Sequence, residues 1–132
     1  MPHLTLEYTG NLAGLDVRKC LLELNRVLVS TNQFDEIDIK SRALKFDDHA
    51  VGVHPERRAF LHAKLSLLSG RSTEVKREIS AALLESLRQL CVAQDQIHVQ
   101  LCVEILEIER ESYAKAACSP NPSMHNTEQA GK

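Results

Sequence analysis

Met1-Pro2-His3-Leu4-Thr5-Leu6-Glu7-Tyr8 opens the chain with strict alternation, Leu4, Leu6 and Tyr8 sharing one face. That period of two marks a half-buried strand starting at the terminus itself. After a turn at residues 10–14, Val17, Leu21, Leu24 and Leu28 recur at helical spacing and predict a helix over about 16–30. Residues 37–46 contain a short strand, with Ile37 and Ile39 alternating with Asp38, Lys40 and Arg42. The polar stretch 47–55 reads as a loop. Alternation returns at 57–68, where Leu61, Ala63, Leu65 and Leu67 oppose Phe60, His62, Lys64 and Ser66. Gly70 ends that strand, and Ser72 can cap a helix with Glu74 in its first turn. Val75, Ile79, Leu83, Leu87 and Leu90 continue the helix as an apolar stripe to about residue 92. A last strand follows at 97–106, Val99, Leu101, Val103 and Ile105 alternating with His98, Gln100, Cys102 and Glu104.

The order is strand, helix, strand, repeated once at a displacement of roughly fifty-five to sixty residues. Two βαβ-type repeats predict an α/β fold of the α+β kind, a mixed four-stranded sheet with both helices on one face. The other face is left for a partner subunit, which would cover apolar residues such as Phe60. Residues 1–111 are expected to form a single domain. Residues 112–132, rich in Ser, Pro, Asn and Ala, are expected to be a disordered tail.

A formal net charge of −2 leaves no basic excess for nucleic acid or a membrane surface. No apolar run suggests a signal segment or a bilayer span, so a cytoplasmic location is expected. Cys20, Cys91, Cys102 and Cys118 lack metal or redox spacing, and the six histidines are dispersed. No metal and no cofactor are expected. Cys20 and Cys91 fall within apolar helical patterns and read as buried thiols.

Proline after an initiator Met1 is the residue with chemical potential. Removal of Met1 turns the nitrogen of Pro2 from an inert amide into a secondary amine, a base and nucleophile. The bland alternative is that proline simply suits the first position of a strand. Arg71, taken alone, reads as a solvated neighbour of the Ser72 cap, and Lys40 and Arg42 as a solvated strand face. His62 reads as a structural histidine, His3 points away from Pro2, and Glu7 and Glu104 stand as isolated carboxylates.

Met1-Pro2-His3, Ile39-Lys40-Ser41-Arg42, Phe60-Leu61-His62 and Gly70-Arg71-Ser72, in that order and separation, resemble the tautomerase superfamily. The resemblance is closest to the 5-carboxymethyl-2-hydroxymuconate isomerase family and covers about residues 2–108. It implies a cofactor-independent isomerase whose terminal proline shuttles a proton on an unsaturated 2-hydroxy acid, turning a dienol into a conjugated ketone. It also implies a homotrimer with sheets around a three-fold axis, and a place in aromatic catabolism, in homoprotocatechuate degradation. By the same resemblance Pro2 and Arg71 are catalytic, and Lys40 and Arg42 bind a small anionic di- or tricarboxylate. Lys40 stands where the family carries arginine; an ammonium neutralises a carboxylate without gripping it bidentately. Two other readings compete: a non-catalytic oligomeric binding protein on the same fold, and a phenylpyruvate-type tautomerase.

A proton shuttle near neutral pH needs a pKa near that pH, whereas an α-amino group starts at about 7.7–8.0 and a secondary amine is intrinsically more basic. Burial and nearby cations lower it. Arg71, Arg42 and Lys40 would serve both the amine and an acidic substrate.

Overall fold

The computed structural model describes residues 1–91 and 96–120. Strand β1 (His3–Thr9) leads through helix α1 (Val17–Ser30) to β2 (Lys40–Phe46). Strand β3 (Arg58–Leu68), helix α2 (Thr73–Leu90) and β4 (His98–Ile108) repeat the unit. The sheet runs β2-β1-β3-β4, with parallel outer pairs and an antiparallel β1–β3 centre. This is the mixed four-stranded α+β architecture expected from the duplicated pattern.

The alternation decides which side is buried. Leu4 and Leu6 of β1 and Leu61, Ala63, Leu65 and Leu67 of β3 form one face, and all are essentially inaccessible. Cys20, Leu24 and Leu28 of α1 and Ile79, Leu83 and Leu87 of α2 close over that face, and the two helices pack on each other. Truncating any of these leucines to alanine would cost about 2–5 kcal/mol, lost transfer energy plus cavity. Both helices begin at designed caps: the Asp16 carboxylate accepts from the Lys19 N–H at 3.1 Å and the Ser72 hydroxyl from the Val75 N–H at 3.2 Å. The thiols of Cys20 and Cys91 lie against the core, and burial pushes both above the ordinary thiol range.

Three expectations are corrected. Ile37 does not belong to a strand: residues Glu36–Asp38 form a 3₁₀ turn that leaves Ile37 83% exposed, and pairing begins at Lys40. The open sheet face is less apolar than its role as an interface suggested, and its carboxylates are not isolated. Glu7 accepts from Lys64 at 3.1 Å, and Glu104 pairs with His62 at 2.9 Å. Finally, the chain after Glu111 stays on the fold. A 3₁₀ turn at Arg110–Ser112 leads into an extended segment in which Tyr113 bonds His3 and Lys115 bonds Asp38. The rest of the expected tail, 121–132, lies outside the described residues.

Candidate active site

Topology gathers the candidate residues at one end of the sheet. Strand β2 is parallel to β1, so Lys40 starts beside His3. Strand β3 is antiparallel to β1, so its last residues and Arg71 come to the same end. Strand β4 is parallel to β3 and delivers the chain beyond Ile108 there as well.

Pro2 is fully buried at this end, and its carbonyl accepts from the Lys40 N–H at 3.1 Å. The amine of the first residue lies among charges of both signs. Burial lowers its pKa below the ordinary α-amino value; Asp38 opposes that, while Lys40, Lys115 and Arg71 reinforce it. The dominance of burial fits the physical order of effects: an ammonium removed from water loses more than one nearby carboxylate restores.

Arg71 is positioned by two left-handed residues. Gly70, at φ +125°, turns the chain from β3 into α2 through a conformation that disfavours any side chain. Asn32, at φ 59°, ends α1 and sends Gln33 and Phe34 toward Arg71. Arg71 Nε then donates to Gln33 Oε1 at 3.2 Å and a terminal nitrogen to the Gln33 carbonyl at 3.0 Å. The guanidinium carbon sits 4.7 Å from the Phe34 ring centroid. Arg71 is therefore braced on three contacts rather than loosely solvated. Those contacts pre-organise it, since an arginine held in one orientation loses less entropy on binding an anion.

Lys40 donates through its ammonium to the Asp38 carbonyl. Burial lowers its pKa first, and Lys115 and Arg42 lower it further while Asp38 raises it. Arg42, two residues on, donates to His3 Nδ1 at 3.0 Å. An arginine is always a donor, so His3 accepts at Nδ1 and carries its proton on Nε2, which meets the Tyr113 hydroxyl at 2.9 Å. Burial and Arg42 hold the His3 pKa below its ordinary value, in keeping with the neutral ring. His3 lies on the open face while Pro2 is buried, so the two do point apart, yet His3 anchors both Arg42 and the segment after β4.

Lys115 is the residue that pattern reading missed. Its ammonium lies 2.6 Å from the Asp38 carboxylate and, chiefly through that hydrogen bond, holds Asp38 below the ordinary carboxylate range. In the sequence Asp38 reads only as a polar alternation partner two residues ahead of Lys40. A cavity of about 350 Å³ under the 47–57 loop, lined by Asn11, His49 and Arg58, lies at the opposite end of β1 and is separate from this cluster. Among the described residues no group of His, Cys, Asp and Glu is arranged to hold a metal ion.

A family model for 5-carboxymethyl-2-hydroxymuconate isomerase matches residues 2–120. The crystal structure of a 5-carboxymethyl-2-hydroxymuconate isomerase from Deinococcus radiodurans R1 is 36% identical, with a TM-score of 0.80 over 86% of this chain and 87% of that one. A 5-carboxymethyl-2-hydroxymuconate delta-isomerase aligns at 21% identity and TM-score 0.77, over 100% and 95% of the two chains. A fused 4-OT wild-type symmetric trimer shares the fold at 19% identity and TM-score 0.64, over 86% and 92%. No curated protein sequence matches the chain.

Proposed function

The chain belongs to the 5-carboxymethyl-2-hydroxymuconate isomerase family and is a tautomerase-superfamily isomerase; from that premise we propose a 1,n-proton shift on an unsaturated 2-hydroxy carboxylate, run by the amine of Pro2. The observation that carries the reading is the partly buried amino end set among Lys40, Lys115 and Arg71, where burial and these cations disfavour the ammonium against the pull of Asp38. Met1 holds that amine in the present structure. Its removal would hand the same surroundings to Pro2.

The step balances without a redox partner. The free amine takes the proton of the 2-hydroxyl group, the oxygen becomes a carbonyl, and the electron pair moves along the conjugated chain. The resulting ammonium returns a proton to a carbon of that chain, giving the conjugated ketone and the free amine again. Negative charge gathers on the 2-oxygen and its neighbouring carboxylate during transfer, and a braced guanidinium such as Arg71 stabilises it without reorganising. Lys40 and Arg42 supply further positive charge for an acidic substrate.

The test is ultraviolet absorbance of untagged protein with 2-hydroxymuconates and with enol-pyruvates. The 2-hydroxymuconates are expected to be turned over faster. Turnover of phenylpyruvate enol alone would move the chain to the other tautomerase class, and turnover of neither would leave a binding protein.

The assembly proposed is a cytoplasmic homotrimer. Leu44 and Phe46 at the β2 edge and Leu106 at the β4 edge lie on the open face at 51%, 36% and 40% exposure. Packing of both edges and the polar centre against copies of the same sheet would cover them. Sedimentation equilibrium at micromolar concentration is expected to give three times 14.8 kDa. A stable monomer would contradict the assembly. No helix among the described residues is long and apolar enough to cross a membrane.

A further inference from the structure

The segment after β4 crosses the end of the sheet like a strap. It leaves the β4 edge at Ile108, is fastened at its start by Arg110 to the Ser69 carbonyl at 2.9 and 3.2 Å, and reaches β1 where Tyr113 meets His3. It ends on the far flank, where Lys115 meets Asp38 just ahead of β2. Strand β1 lies between β2 and β3. Lys40 and Lys115 therefore belong to the β2 side of β1, while Arg71 follows the end of β3 on its other side.

We propose that Lys115 is a specificity-determining residue, its ammonium pairing with that of Lys40 to receive a second carboxylate of the substrate, the one remote from Arg71. The proposal rests on the isomerase reading above and adds to it the residue that receives a carboxylate beyond the one at Arg71. Two ammonium groups converge on Asp38, one at its carbonyl and one at its carboxylate. Lys40 and Lys115 thus gather at the single residue Asp38, and two ammonium groups held on one flank repel each other until another anion arrives. Their mutual effect is visible in the lowered Lys40 pKa, where Lys115 follows burial as a cause. A carboxylate entering between them relieves that repulsion and replaces the water that each ammonium has already partly lost. The strap matters because Lys115 has no strand or helix to hold it; Tyr113 and Asp38 fix its place.

The experiment uses untagged full-length wild type, Lys115→Ala and Lys115→Arg, with two unreactive probes of equal length, hexanedioate and hexanoate. Calorimetry reads binding, and 2-hydroxymuconate turnover is followed in parallel. Lys115→Ala should weaken hexanedioate about tenfold, the size of one lost charge-assisted contact, and leave hexanoate within about twofold. Lys115→Arg should recover most of the hexanedioate affinity because the charge returns. Equal weakening of both probes would make Lys115 a structural tether and overturn the proposal. So would unchanged binding, or no hexanedioate binding by wild type. If wild type turns over no 2-hydroxydienoate but hexanedioate still depends on Lys115, the isomerase chemistry fails while the second carboxylate site stands. If turnover is normal and the probes do not discriminate, the proposal alone falls.

Discussion

A non-cleavable extension ahead of Pro2 is expected to lower kcat/KM for a 2-hydroxydienoate by about a thousandfold, within the range that positioned acid–base groups supply. The extension converts the Pro2 nitrogen into a tertiary amide, which has no lone pair available at neutral pH. Pro2 is buried at the edge of the core and its carbonyl holds the Lys40 N–H, so the strand pairing does not depend on a free terminus. Folding and assembly should then survive, checked by sedimentation and thermal midpoint at equal concentration. Equal turnover by extended and native proteins would remove the terminal amine from the mechanism.

Arg71→Ala is expected to reduce kcat/KM by about a hundredfold, corresponding to about 2.7 kcal/mol of transition-state stabilisation. The loss should fall mainly on kcat, since charge on the 2-oxygen is greatest during proton transfer. A smaller stability cost of about 1 kcal/mol is expected too, because the guanidinium stacks on Phe34 and ties Gln33 to the β3–α2 turn. Arg71→Lys should restore part of the activity, returning charge but not the planar fork. Steady-state kinetics beside a thermal melt separate the two contributions. A lower thermal midpoint with intact turnover would make Arg71 a brace between α1 and α2 and nothing more.

The elements were legible where one face is buried. Leu4, Leu6, Leu61, Ala63, Leu65 and Leu67 keep period two because every second residue meets the helices, and Ile79, Leu83 and Leu87 keep the helical period for the matching reason. Pattern misled at Ile37, since a single turn of 3₁₀ helix ahead of a strand also places apolar residues two apart. The open face was harder: its ion pairs join residues on different strands, and alternation reveals a polar face without revealing who pairs with whom. Pro2, Lys40, Arg42 and Arg71 could be named because the ordered segments resemble a known family, and topology does bring their strands to one end. Lys115 and Tyr113 could not. Their partners are 77 and 110 residues away, and an extended strap held by side chains leaves no periodicity to read.

The central claim is that the amine of Pro2 is the proton carrier, and nitrogen-15 resonance of protein labelled at proline measures it directly. A processed chain should show one proline nitrogen with an amine rather than an amide shift. That nitrogen should titrate below the pKa of a solvent-exposed N-terminal proline, because burial first, with Lys40, Lys115 and Arg71 behind it, disfavours the ammonium at this position. The sign follows: a lowered pKa raises the free-base fraction at neutral pH, so kcat/KM should rise with pH through the same pKa and level off above it. Coincidence of the two curves is the predicted result. An active protein whose Pro2 nitrogen stays an amide, or whose amine titrates well above the acid limb of the rate profile, would contradict the account.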